Sequence, residues 1–172
     1  MKTIVLFAAF LFLAACADTA RVNTSPQYAS ANLDRSASAY VAVSRDGSYG
    51  AENYTGSGRM LTQIIRSSLL MHMDRVQDAS SRQNLTDALR SARSGGHKYL
   101  FFPSILHWED RATEWSMKPD VVRVKIEVLD VASSSRVSAA TINGQSGMAT
   151  FGGDRPQDLL PKPVENYIRQ LF

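Results

Sequence analysis

Cysteine is all but missing: the 172-residue chain has one, Cys16, and two tryptophans among only 9% aromatic residues. A lone cysteine excludes an internal disulfide framework. No excess of one charge sign stands out either, since Lys+Arg 19 against Asp+Glu 16 leaves a formal +3. The basic residues are scattered singly, whereas a nucleic-acid binder gathers them in a patch or stripe. The longest apolar run, residues 4–14 (IVLFAAFLFLA), covers about half of a ~30 Å hydrocarbon core at ~1.5 Å per residue. It is too short for a stable membrane-spanning helix. Gly-x-Ser-x-Gly is absent, the glycine-rich loop has no P-loop lysine, and Gly56-x-Gly58-x-x-Leu61 lacks the third glycine of a dinucleotide fingerprint. No internal repeat is visible. What is present, 44% hydrophobic and 20% charged residues, is the composition of about one ordinary globular domain.

Lys2 followed by the apolar run fits the start of a secretory signal, so residues 1–15 are set aside from the fold. The run ends in Leu13-Ala14-Ala15-Cys16. This box resembles that of bacterial lipoprotein precursors; the alternative is an ordinary signal followed by a chance cysteine. The resemblance implies cleavage before Cys16, a diacylglyceride on its sulfur and an acyl chain, such as palmitate, on the new amine. Two or three chains supply the multiple signals that stable anchoring in a lipid bilayer needs. In such lipoproteins an Asp directly after the cysteine marks inner-membrane retention. Ala17 stands there, so the resemblance points to the outer membrane, with the domain facing the periplasm.

Residues 16–37 are polar and small without a sustained apolar period, and are expected to be a flexible tether; Val22 and Tyr28 are the candidates for packing on the domain as an extra strand. The domain is expected over 38–172. Residues 39–44 read as a central strand, 45–58 as a glycine-rich loop, and 58–73 as a helix burying Leu61, Ile64, Ile65 and Leu69. A short strand at 75–79 precedes a helix capped by Ser80 with Gln83, whose stripe is Leu85, Ala88, Leu89 and Ala92 and which Gly95-Gly96 ends. Residues 99–105 read as a strand buried on both faces, with Pro103 requiring a bulge or a free edge. In 120–131, Val122, Val124, Ile126 and Val128 alternate with Arg123, Lys125 and Glu127, a half-exposed strand that returns antiparallel over 136–144. Asp154 is placed to cap a turn at Pro156, and a last helix begins near Pro161. The fold class is therefore α/β: a single mixed β-sheet of about five strands, in the order β-α-β-α-β-β-β-α, with helices packed on it. The right-handed crossover rule places its strands 2-1-3-4-5.

Two stretches, 92–105 and 125–137, resemble the periplasmic α/β domain shared by the TolB amino-terminal domain, CsgG and LpoB. More closely, the blocks 40–50, 107–115 and 149–160 are similar to a family of bacterial lipoproteins of unknown function. That resemblance implies fold and localisation and brings no catalytic residues with it.

The densest chemical cluster is His107-Trp108-Glu109-Asp110-Arg111, with Glu114 and Trp115 close behind. On a continued strand His107 and Glu109 share one face and Trp108 and Asp110 the other. Two ligands on a strand, with His72 and His97 far away in sequence, do not make a metal site. The cluster is either a structured loop with buried tryptophans and internal ion pairs or a recognition surface, since Trp and Arg are frequent interface hot spots. The candidate partner-binding residues are Tyr49, Tyr54, Trp108, Glu109, Asp110, Arg111 and Trp115, with Cys16 for lipid attachment; no catalytic residue, metal ligand or cofactor is assigned. The expectation is a membrane-anchored, non-catalytic binding or adaptor domain of the cell envelope, without nucleic acid. The alternatives are a small-ligand-binding protein or enzyme using His107, Glu109 and Asp110, and a subunit of a homo-oligomeric assembly.

Overall fold

The apolar alternation of residues 121–130 builds the strand around which the sheet is assembled. In the computed structural model, which describes residues 18–26, 31–111, 119–147 and 155–172, this strand pairs antiparallel on both sides. In chain order the strands are β1 Thr19–Thr24, β2 Ser38–Val43, β3 Gly47–Tyr49, β4 Glu52–Tyr54, β5 Arg75–Arg82, β6 Tyr99–Glu109, β7 Val121–Asp130 and β8 Arg136–Gln145. The helices are α1 Ser57–Leu69, α2 Leu85–Ser94 and α3 Pro161–Arg169, the last preceded by a 3-10 turn over Pro156–Leu159. One mixed sheet runs β1-β8-β7-β6-β2-β5, and β3 with β4 forms a separate hairpin. The pairs β2–β5 and β2–β6 are parallel, as crossovers through α1 and α2 require. The expected order of five strands is present as β5-β2-β6-β7-β8. A sixth lies beyond it.

That sixth strand corrects the tether expected over 16–37. β1 pairs with β8 from Thr19↔Gln145 to Thr24↔Ala140. Its sequence, TARVNT, shows no apolar period because an edge strand contributes mainly backbone donors and acceptors. Val22 alone packs against the main core. Residues 31–37 are also held: Leu33 is buried and its N–H donates to the Leu171 carbonyl at 2.6 Å, while the Asp34 N–H donates to the Tyr99 hydroxyl at 3.1 Å. Tyr28 lies outside the described residues, as do Cys16 and Asp154.

The larger core lies between one sheet face and two helices. Val122, Val124, Ile126 and Val128 meet Leu61, Ile65 and Leu69 of α1 and Val164, Tyr167 and Ile168 of α3. Tyr167 donates to the Ser138 hydroxyl at 2.9 Å inside this layer, and burial pushes its phenol up to about 12. On the opposite face α2 covers Tyr40, Ala42, Leu100 and Leu129 with Ala88 and Ala92. Leu85, expected in that buried stripe, is 40% exposed as the first helical residue. The cap of α2 is Asn84, whose side chain accepts from the Asp87 N–H at 2.9 Å, instead of Ser80 with Gln83. The reason is that β5 continues through Arg82, and Gln83 is engaged with Tyr40 and Ser91. Pro103 pairs with Ile126 of β7, but pairing of β6 with β2 stops at Phe101. The proline therefore removes no ladder bond on the β2 side.

Because β1 closes the sheet edge, a chain beginning at Ala31 is expected to unfold at lower urea than one beginning at Ala17. The loss is on the order of 1 kcal/mol, the worth of one half-buried Val side chain. Equal urea midpoints would mean that residues 17–26 add nothing to the domain.

Candidate functional site

Strand β6 runs on for eight residues after β2 has left it, and the β3–β4 hairpin packs along that freed flank. Between Ile105 and His107 the pairing with β7 slips by one residue, leaving Leu106 52% exposed. A bulge reverses the inward and outward alternation that follows it. Tyr99, Phe101 and Ile105 face the main core before the bulge, and Trp108 faces it afterwards. His107 and Glu109 then share the other face, as their spacing predicts.

Trp108 is 2% exposed and belongs to the core. This corrects its place among the surface candidates, because a buried indole offers nothing to a partner. The hairpin backbone seals it: a Cβ at Gly47 would stand 2.4 Å from the Trp108 Cβ. The Gly47 N–H donates to the Ser57 hydroxyl at 2.8 Å, and the Gly58 N–H donates to the Asp46 carboxylate at 2.8 Å. The helix start that could attract an anion is thus served by a carboxylate of the chain itself. Trp115 and Glu114 lie outside the described residues.

Glu109 is 4% exposed yet carries a charge. One oxygen lies 3.1 Å from His107 Nε2, and the other accepts from Arg111 through Nε and Nη2. Arg111 Nη2 also donates to the Tyr49 hydroxyl at 3.2 Å, and its guanidinium sits 5.7 Å from the Tyr49 ring centre. The Tyr49 and His107 rings meet edge to face at 5.3 Å. Nearby, the Asp110 N–H donates to the Tyr54 hydroxyl at 3.2 Å. The Arg111 N–H donates to Asp120 Oδ1 at 2.5 Å, while the Asp120 N–H donates to the Ser146 hydroxyl at 2.8 Å. Sequence spacing revealed the His107–Glu109 pair. It could not reveal Asp46, Asp120 or Ser146, which arrive from other elements.

Burial pushes the Glu109 carboxyl up, but hydrogen bonds from His107, Tyr49 and Arg111, with the Arg111 charge, outweigh it and hold the group below the usual carboxylate range. The same contact, led by the Glu109 hydrogen bond, raises Arg111. General acid work needs a carboxyl held up near neutral, with its partner carboxyl converging on one cleft. Glu109 is held down with its oxygens engaged by His107 and Arg111, and Asp110 stands just beyond the end of β6. Among the described residues no group of three or more His, Cys, Asp or Glu is placed to hold a metal ion. The arrangement is an ion-pair network that ties hairpin to strand, with Tyr49, Tyr54, Asp110 and Arg111 at its outer rim.

The family model described as a domain of unknown function (DUF4823) matches residues 31–171. The solved structure of a PelC dodecamer from Paraburkholderia phytofirmans is similar with a TM-score of 0.63 at 19% identity, over 86% of this chain and 96% of that one. Lipoprotein GNA1162 from Neisseria meningitidis gives 0.52 at 13% identity, over 78% and 97%. Protein XCC0632 from Xanthomonas campestris, assigned to DUF330, gives 0.50 at 13%, over 90% of each. At these identities the likeness is one of fold. No curated protein matches the sequence.

Trp108→Ala is expected to cost ~3–5 kcal/mol in chemical denaturation, as for a large aromatic cut out of a core, whereas Tyr49→Ala costs about 1 kcal/mol or less at its exposed site. A Trp108→Ala protein of unchanged stability would return the indole to the surface.

Glu109 also sets a pH dependence. A carboxyl held low when folded contributes stability above the ordinary carboxylate range and loses it as pH falls below that range. Thermal melts of the native protein and Glu109→Gln should therefore differ at neutral pH and converge on acidification. Asp34 and Asp130, also held low, are common to both proteins and cancel in the comparison.

Proposed function

Since the chain belongs to the DUF4823 family, we propose that it is the precursor of a lipid-anchored protein of the bacterial cell envelope whose α/β domain binds a partner without catalysis. The observation that carries this reading is the place of its sole cysteine, which closes the Leu13-Ala14-Ala15-Cys16 box directly behind the apolar run. Ala17 after it favours the outer membrane, with the domain in the periplasm. The kinship with the TolB amino-terminal, CsgG and LpoB group belongs to the same proposal. A non-catalytic role is supported by Glu109, whose oxygens are engaged by His107 and Arg111. The recognition surface in this reading is the rim on which Tyr49 and Asp110 are exposed and Tyr54 and Arg111 half-buried.

A second reading, self-association, is favoured by the likeness in fold to PelC, whose solved structure is a dodecamer and of which the match covers 96%.

In-cell crosslinking of envelope fractions, with Cys16→Ala as the unanchored control, tests both. One dominant partner lost in the control is the result expected of an anchored adaptor. Crosslinks between copies alone support the assembly instead. No specific crosslink argues against both and favours a small ligand at His107, Glu109 and Asp110.

A further inference from the structure

The strand that replaces the expected tether also shortens the leash. Between Cys16 and Thr19, where β1 begins, stand only Ala17 and Asp18. A chain covers at most ~3.3–3.6 Å per residue, so the backbone of Cys16 lies no more than about 11 Å from Thr19. A flexible stretch of some twenty residues would reach ~25 Å and leave the domain free to turn. Thr19 itself is fixed, paired with Gln145, and the Asp18 carboxylate accepts the Gly147 N–H at 3.0 Å.

The register shows what else stands at this end of the sheet. Thr19 pairs with Gln145, Gln145 with Val121, and Val121 with Glu109. Three strand spacings of ~4.8 Å place Glu109 about 14 Å from Thr19. The rim of Tyr49, Tyr54, Asp110 and Arg111 is therefore at the same end as the anchor point. Lys162 of α3 is there too, lining with Asp18 a groove of about 450 Å³ between β1 and α3. The β7–β8 turn at 132–135 lies at the far end, the length of β7 away, or about 33 Å.

We infer that the partner of this rim is the lipid surface to which Cys16 is joined, and that the domain stands with the β3–β4 hairpin toward the headgroups and the β7–β8 turn away from them. This inference rests on the lipid-anchor reading above, adds an orientation to it, and gives the rim to the bilayer in place of a protein partner, whose contacts would then fall elsewhere on the domain. The chemistry of the rim fits a headgroup layer. Tyr49, 43% exposed, has an apolar ring with a polar tip, as side chains at membrane interfaces do. Lys162, exposed at this end, offers donors to phosphate. Asp18, Glu52 and Asp110 are exposed at the same end, so the rim carries both charge signs and suits zwitterionic headgroups as well as anionic ones.

The test uses the acylated protein in vesicles of phosphatidylethanolamine and phosphatidylglycerol that carry an energy acceptor on a headgroup. Once Cys16 is acylated on sulfur, a cysteine introduced at an exposed site is the chain's one free thiol. Donor dyes are placed singly through Ala51→Cys at the β3–β4 tip and Ala132→Cys at the β7–β8 turn. Mass spectrometry of the amino-terminal peptide establishes acylation in each sample. Transfer several-fold stronger from position 51 than from position 132 is the expected result. Equal transfer, or stronger transfer from 132, on an acylated protein overturns the orientation and leaves the anchor standing. An unacylated Cys16 overturns the anchor and the orientation together.

Discussion

Strand β6 carries one residue more than β7 between Ile105 and His107. Side chains on a strand alternate, so that insertion decides which residues beyond it enter the core. It sends Trp108 inward to join Val122 and Val124, and it turns His107 and Glu109 toward the β3–β4 hairpin. Without it the imidazole would take the core position and the indole the open flank. The hairpin would then lose both its apolar floor and the carboxylate that Arg111 grips. Gly47 is part of the same constraint, because its backbone lies where any side chain would strike Trp108.

A nearly buried glutamate is costly unless it is paired, and Glu109 is paired on both oxygens. Such an arrangement is weak evidence for net stability, since desolvation offsets much of the attraction between the charges. Its effect is better described as placement. Arg111 reaches Glu109, Tyr49 and Asp120, so one guanidinium residue links β6, the hairpin and the start of β7. The rim is consequently held by side chains with specified partners, although it projects beyond the last backbone pairing of β2 with β6.

The parts of the fold that bury apolar side chains in a regular period were legible in the sequence. The alternation in β7, the stripe of α1 and the order of five strands all follow from burial on one known face. β1 was not legible, because its contribution is a row of backbone hydrogen bonds and a single Val22. Whether Trp108 is buried or exposed stayed open for a different reason: spacing tells which residues share a face but not, after a bulge, which face is inner. The candidate site was half visible. His107 and Glu109 sit two apart on a strand, whereas Asp46, Asp120 and Ser146 join it from distant positions that no local pattern connects. The cap of α2 fell to Asn84 because β5 used the residues that would have formed the expected box.

Anchoring and self-association constrain each other once the leash is short. If Cys16 is acylated as proposed, a copy whose β1 begins at most about 11 Å from that residue has little freedom to turn over, so every copy in an assembly must present the same end to the bilayer. Cyclic symmetry about an axis along the membrane normal satisfies that requirement, since rotation about the normal leaves each anchor facing down. Dihedral symmetry does not, because its perpendicular two-fold axes turn half of the anchors away from the membrane. Contacts between copies in such a ring would fall on the flanks of the domain and not on the rim. The surfaces for self-association and for the membrane are then different surfaces, and a substitution at Tyr49 would act on one without disturbing the other.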